Sequence, residues 1–407
     1  MRTAGESGTG WAGDDGSGPT APEDRIVSLD VLRGVAIFGI LVINVQSFSM
    51  PSVTRRNPTQ FGEFAGVEFF VWLLSHVLFE QKFIALFSIM FGAGIVLFME
   101  SKRAGDRPAM ALHYRRTLVL LVIGVGHAYL LWHGDILVVY ALCALWAVLF
   151  WTEEAWTLFV IGAALLAVPT VLAGGFVLET GLSNSHAGWT ASEAAIQSEI
   201  DAYQGSWSDG LEQRIESAWR AHTTGFLTTT GWRYTGLILW GMAFYKWGLL
   251  TNDWSRAAYR RLLVGGGTVG LAFVGLGLWT VFAYDWAGGA GVLAWELNEI
   301  GALFMAPAYA AAVMLYCRRR TEGPIVSACA AVGRTALSNY LFQTVVATTI
   351  FYGYGFGLFG QVSRIEQLAV VVGIWLLQAV LSVLWLRRHR YGPVEWLWRR
   401  ATYGSRS

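Results

Sequence analysis

The stretch Arg25-Ile-Val-Ser-Leu-Asp30-Val-Leu-Arg33-Gly34 runs directly into GVAIFGILVINVQSFSMPSVT, residues 34–54, which holds no Asp, Glu, Lys or Arg. A helix needs about 20 apolar residues to cross the hydrocarbon of a bilayer, so this run reads as a membrane span. Arg25, Asp30 and Arg33 stand where that span meets its headgroup boundary. Ser28 is placed to cap the helix, with Asp30 in its first turn and Arg33 three residues on, on the same face. Charges so placed act as an orientation signal. Alternatively, the forked donors of Arg25 and Arg33 hold an anionic group such as a phosphate.

The pattern repeats along the chain. Charge-free windows cover residues 83–99, 117–134, 136–152, 155–178, 262–284, 300–317, 335–363 and 367–386, and 232–249 is interrupted only by Arg233 and Lys246. Each approaches spanning length, whereas barrel strands would be shorter and would alternate apolar with polar residues. Of the 407 residues, 55% are hydrophobic and 14% charged, against roughly 25% charged in a soluble domain. Mean hydropathy is +0.46. The 20 Trp, 23 Phe and 15 Tyr suit aromatic belts at two membrane–water interfaces. The expected fold is therefore all-α and polytopic. A net charge of +1 gives no reason to expect a nucleic-acid partner. Cys143, Cys317 and Cys329 show neither disulfide nor metal spacing, and no metal is expected. Residues 1–24 have the composition of a disordered tail. They lack a basic n-region, so the first run is read as an uncleaved span.

Basic residues set the orientation. Segment 101–116 carries five, 246–261 four, 318–320 three and 387–407 six, whereas 179–231 carries seven acidic residues against Arg214 and Arg220. The positive-inside rule places the basic segments in the cytoplasm and residues 179–231 outside. Part of that loop, 192–222, has the composition of an amphipathic helical lid. Parity then requires residues 66–99 to make one net crossing although both 66–79 and 83–99 are apolar. A broken helix at Glu80-Gln81-Lys82 satisfies it, and such a break is tolerated only beside protein or a polar cavity. The count becomes about ten crossings with both termini cytoplasmic. The organisation expected is a tail (1–24), an N-terminal bundle (25–178), an extracytoplasmic loop (179–231), a C-terminal bundle (232–388) and an interfacial tail (389–407).

Polar residues inside the spans are the candidates for chemistry. The densest group is His127-Ala-Tyr-Leu-Leu-Trp-His133-Gly-Asp135, where His127 is a candidate general base and Asp135 its orienter. The competing reading is a buried network that fixes the hairpin. Asn44, Glu80, Lys82, His133, Asn339 and Gln343 are candidates for lining a polar interior and contacting substrate; polar residues at such positions also serve as interhelical glue. Ser88, Gly92 and Gly94 suit close helix packing. Residues 391–400, with Pro393, Trp396, Trp398, Arg399 and Arg400, read as a short interfacial anchor.

Five ordered motifs carry a resemblance. They are Ser28-Leu-Asp-Val-Leu-Arg-Gly34; Lys82-Phe-Ile-Ala-Leu-Phe-Ser-Ile-Met-Phe-Gly-Ala-Gly94; His127 to Tyr140 with its Trp-x-Gly-Asp-Ile-Leu core; Gly333-Arg334 followed by Ser338-Asn-Tyr-Leu-Phe-Gln343; and Tyr391-Gly-Pro-Val-Glu-Trp-Leu-Trp-Arg399. Taken in order they resemble the YeiB family of bacterial membrane proteins over nearly the whole chain after residue 24. That family is in turn similar to transmembrane acyltransferases, among them the lysosomal heparan glucosaminide acetyltransferase and enzymes that modify bacterial surface glycans. The resemblance implies a multi-pass protein of the bacterial cytoplasmic membrane. It also implies acyl transfer from a cytoplasmic donor, acetyl-CoA or another acyl-CoA, to a glycan or lipid-linked acceptor beyond the membrane. On this expectation Arg25 and Arg33 face the donor phosphates. The heparan-modifying relatives have a histidine soon after their first span, whereas residues 45–66 here have none, leaving His127 or His133 to substitute. The rival expectations are a transporter or flippase using the same polar interior, and a non-catalytic scaffold docking through residues 179–231.

Overall fold

The computed structural model describes residues 26–103, 108–185, 188–320 and 322–404, so Arg25 lies outside the described residues. Among these residues the chain is all-α, and seven helices or helix pairs are long and apolar enough to span a bilayer. Helix α1 runs Val27–Ser49 with Ile26 at its N-cap. Ser28 therefore sits inside the first turn instead of capping it, while Asp30 pairs with Arg33 at 3.1 Å as the spacing predicts.

The expected break between residues 66 and 99 is present. Helices α2 (Gly66–Leu78) and α3 (Lys82–Lys102) are joined through Gln81, which adopts the left-handed region at φ 65°. That conformation is costly for a residue with a Cβ and cannot continue a right-handed helix. The Ser75 carbonyl accepts from both Phe79 and Glu80 N–H, at 2.9 and 3.0 Å. The Lys82 ammonium holds the two helices together by donating to the His76 carbonyl, 3.0 Å away, and to Asn298 Oδ1.

The chain continues through α4 (Ala109–Leu130), α5 (Leu137–Ala147) and α6 (Ala155–Thr180) to the expected lid. The lid forms α7 (Glu193–Gln204) and α8 (Asp209–Arg220), which passes through a π-helical stretch, Ala221–Thr230, into α9 (Gly231–Lys246). Ser192 caps α7 through the Ala195 N–H. The lid is docked, not loose: Gly353 N–H donates to the Tyr203 carbonyl (2.8 Å), and Gln204 Nε2 donates to the Phe359 carbonyl (2.7 Å). The remaining helices are α10 (Arg256–Ala283), α11 (Gly288–Arg319), α12 (Pro324–Arg334), α13 (Ala336–Phe351), α14 (Arg364–Leu386) and α15 (Pro393–Tyr403). A reciprocal capping box between Ser363 and Glu366 starts α14.

Two glycine seams interlock the N- and C-terminal halves. A Cβ on Gly92 of α3 would lie 2.0 Å from the Ile238 carbonyl of α9, and one on Gly333 of α12 would lie 1.8 Å from the Asp30 carbonyl of α1. Only glycine allows such backbone contact, the packing role expected of Gly92. Gly94, by contrast, touches nothing in this sense.

One boundary differs from the charge-free windows. Helix α11 begins twelve residues before Ile300 and so carries Glu296, Asn298 and Glu299 within the bundle. It tolerates them because Arg233 of α9 bridges both carboxylates, at 2.8 Å to Glu296 and 2.7 Å to Glu299.

Candidate functional site

An opening lies at the Arg33 end of α1. It is a cavity of about 490 Å³ walled by the start of α1, the end of α3, Arg116 of α4, the end of α12 and α15. Arg33, Lys102, Arg116, Arg334 and Arg399 line it, against Asp30, Glu100 and Glu395. Five cations against three carboxylates, one of them already paired to Arg33, leave a surplus of positive charge. Two of the arginines are held by aromatic faces: Arg116 over Trp398 (4.6 Å) and Phe98 (4.9 Å), and Arg399 over Tyr391 (4.1 Å). Buried guanidinium atoms Arg334 Nε and Arg399 Nη1 have no hydrogen-bond partner among the described residues. Buried donors of this kind call for an acceptor, and the geometry suits a multiply charged anion such as a phosphate ester.

Helix α15, expected as an interfacial anchor, is also a wall of this cavity. Trp398 Nε1 donates to the Arg116 carbonyl (2.8 Å) and Arg115 Nε to the Ala401 carbonyl (3.0 Å). Glu395 caps α13 by accepting from Ser338 N–H (3.0 Å) and from its hydroxyl. Burial pushes the Glu395 carboxyl above its usual range, opposed by these bonds from Ser338. In the sequence Lys102 and Arg116 stand only among the orientation charges, Arg399 in the interfacial segment and a family motif, and Arg334 in a family motif. Their convergence depends on α15 folding back, which no local pattern announces.

The predicted base and orienter do meet. His127 Nδ1 lies 2.7 Å from Asp135 Oδ1, and Asp135 Oδ2 accepts the Val138 N–H at 2.7 Å. The other ring nitrogen, Nε2, lies 2.9 Å from Thr344 Oγ1 of α13. Both side chains are essentially fully buried, at 1% and 0% exposure, so neither nitrogen faces open space. His127 stands eleven residues from Arg116 along α4, about 16 Å at 1.5 Å per residue. His133 points elsewhere, to Tyr203 Oη of the lid at 3.1 Å. Burial, with Arg55, Arg214 and Arg220 nearby, pushes its imidazole down to about 4.

The other candidates separate. Asn339 Nδ2 donates to Thr335 Oγ1 (2.8 Å) and Ser382 Oγ (2.9 Å), and Gln343 Nε2 to the Ile37 carbonyl (3.0 Å) and Gln378 Oε1 (3.1 Å). These bonds tie α13 to α1 and α14. Lys82 is enclosed at the helix break, and Asn44 lines neither of the two cavities described here. Arg33, Lys82, Asn339 and His127 thus do not share one chamber.

Glu80 does line a cavity, at the far end of the bundle. A narrow cleft of about 20 Å³ is bordered by Arg55, Trp72, His76, Glu80, Trp189 and Trp286, among others. In it His76 Nδ1 lies 2.6 Å from Glu80 Oε2, and the imidazole stacks on Trp72 at 5.1 Å between centroids. His76 lies in the last turn of α2 and Glu80 just beyond its end, four residues on.

Fold and cavities together define the class: an all-α, multi-pass membrane protein with a cationic chamber at one end of its helix bundle. The chain belongs to the YeiB family of bacterial membrane proteins. It is 33% identical over 393 residues to the Escherichia coli (strain K12) protein named "Uncharacterized protein YeiB", covering 93% of this chain and 96% of that one. It is 32% identical over 407 residues to the Bacillus subtilis (strain 168) "Uncharacterized protein YxaH", with 95% and 96% covered. A Bacillus acidopullulyticus relative, "Uncharacterized 39.9 kDa protein in amylase 3'region", is 25% identical over 388 residues, with 95% and 96% covered. Residues 244–405 match the family described as "Protein of unknown function (DUF418)", from the last turn of α9 through α15.

Proposed function

We propose that this protein transfers an acyl group from a cytoplasmic acyl-CoA to a glycan or lipid-linked acceptor on the far side of the bacterial cytoplasmic membrane. The basic end of the bundle then faces the cytoplasm, and ten crossings leave both termini there. The observation that carries the reading is the cationic chamber, where buried Arg334 Nε and Arg399 Nη1 have no acceptor among the described residues. Arg33, Lys102, Arg116, Arg334 and Arg399 would hold the donor's phosphates. Arg25, the other arginine expected at the donor, lies outside the described residues. His127, Asp135 and Thr344 would lock α4, α5 and α13 around the path between the two ends. The test is binding of radiolabelled acetyl-CoA to the purified protein, with Arg33→Ala and Arg116→Ala each weakening it. Absence of acetyl-CoA binding, or binding indifferent to both substitutions, removes this function.

A second reading rests on the buried Arg233–Glu296–Glu299 cluster, since ionisable groups at membrane depth often mark an ion path. It predicts flux of solute into proteoliposomes with no acyl donor present.

A further inference from the structure

Helix α15 has two faces, and the chamber uses only one of them. Glu395, Trp398, Arg399 and Thr402, at helical spacings of three and four, line the cavity. Pro393, Trp396, Leu397 and Arg400 fall at the same spacings on the other side and are exposed, Trp396 at 48% and Leu397 at 55%. The Arg400 guanidinium lies 5.3 Å over the Trp396 ring, so cation and indole are presented together. The start of the helix is fixed in depth. Span α14 ends at Leu386. Trp385, in its last turn, donates from Nε1 to the Tyr391 carbonyl at 2.9 Å and stacks on His389 at 4.0 Å. The turn between the two helices carries exposed Arg388 and Arg390 and half-buried Arg387. Across residues 387–404 the only carboxylate side chain is Glu395, and it is turned inward onto Ser338. The outer surface is therefore of one sign: four arginines beside two exposed apolar side chains, at the level where a span leaves the hydrocarbon.

We propose that the outer face of α15, with the turn before it, is a binding surface for anionic phospholipid headgroups, and that lipid held there seats the wall of the chamber. Trp396 and Leu397 enter the boundary between headgroups and acyl chains while the arginines meet lipid phosphates, the arrangement of an interfacial amphipathic helix. A basic surface of one sign favours an anionic leaflet over a zwitterionic one. On the orientation proposed above this is the cytoplasmic leaflet, and the surface is the same whichever anion fills the chamber. The link to the chamber is short. Arg390 on the outside and Arg399 on the chamber wall both lie over the Tyr391 ring, at 5.7 and 4.1 Å. Arg334 Nη2 donates to the Arg390 carbonyl at 3.5 Å. Ser338 holds the first turn of α15 from the inside: its hydroxyl accepts the Val394 N–H at 3.0 Å and donates to Glu395. The helix has 11 residues, about three turns, so it moves as one piece and its two faces are seated together.

The experiment is hydrogen exchange on the full-length protein in nanodiscs, of phosphatidylcholine alone and of phosphatidylcholine with phosphatidylglycerol in equal parts. Amides of α15 should exchange about fivefold more slowly in the mixed discs, the effect of one arginine near an anionic surface. Amides at the start of α13, residues 336–343, should slow with them. The start of α10, residues 256–263, is also basic and should change less. Arg387→Gln, Arg388→Gln and Arg400→Gln together should abolish the lipid dependence, and Trp396→Ala with Leu397→Ala should weaken it. None of these side chains lines the chamber, so both variants should elute from size exclusion as the wild type does. The same exchange in both discs, or a lipid effect that survives the triple substitution, overturns the surface. Equal slowing at α10 overturns it too, as a general effect of surface charge. Slowing in α15 without α13 overturns the link to the chamber. Protection by soluble glycerol phosphate in phosphatidylcholine discs puts a free phosphate ester there in place of a bilayer. Slowing confined to discs that hold two copies assigns the face to a second copy of this chain instead.

Discussion

Trp398 donates its indole N–H to the Arg116 carbonyl at 2.8 Å while the Arg116 guanidinium lies 4.6 Å over that same indole. One side chain thus fixes both the backbone and the charge of a residue on another helix. Trp398→Ala removes the stack and opens the chamber wall together. Acetyl-CoA affinity should fall about tenfold, roughly 1.4 kcal/mol, measured by equilibrium binding in detergent. An unchanged affinity would mean that α15 takes no part in holding the ligand.

The five cations should act by charge. Raising the salt concentration should weaken acetyl-CoA binding, because partly exposed groups such as Arg33 are screened. Arg33→Lys should restore less than full affinity to Arg33→Ala, since lysine lacks the planar fork. A titration at several ionic strengths checks both.

His127→Ala strands buried Asp135 and Thr344, at a cost of about 1–3 kcal/mol for the unmade bonds, and thermal unfolding should shift down. An unchanged melting temperature would mean that these bonds contribute nothing to the fold.

Arg233→Ala leaves Glu296 and Glu299 buried without their counter-charge. Removing one partner of a buried pair costs about 3–5 kcal/mol, so yield and stability should both fall. The triple change Arg233→Met, Glu296→Gln and Glu299→Gln should recover much of the loss. Fluorescence-detected size exclusion after heating reads the order of the three proteins.

His133 makes the lid sensitive to acid. Its imidazole is pushed down to about 4 by burial and by Arg55, Arg214 and Arg220, so the folded state favours the neutral ring. The contribution to lid docking is complete above the ordinary histidine value near 6.5 and is lost as pH falls toward 4. Proteolysis between α7 and α8 should therefore accelerate over that window. His133→Gln should flatten the dependence; an unaltered profile would assign it to other groups.

The spans were legible because a bilayer demands long apolar runs, and the break at Gln81 was legible from crossing parity alone. Charge-free windows failed at α11, where Arg233 supplies from another helix the charge that lets Glu296 and Glu299 enter. The chamber was half legible: Arg33 stood out beside its span, but Lys102, Arg116, Arg334 and Arg399 come together only through tertiary contacts of α15. His76 was overlooked as one histidine in an apolar run. Its signal was Glu80 one turn later, with Lys82 just beyond.

Because α15 closes the cationic chamber, its wall leaves the ribosome after α1, α3, α4 and α12, the helices that it completes. A nascent chain can insert every long apolar helix and still have no chamber. Residues 391–403 must first fold back on α4 and α13. A chain cut before residue 391 would then insert its long apolar helices without a chamber, so the order of synthesis itself delays the closing of the chamber until the other described helices have been made.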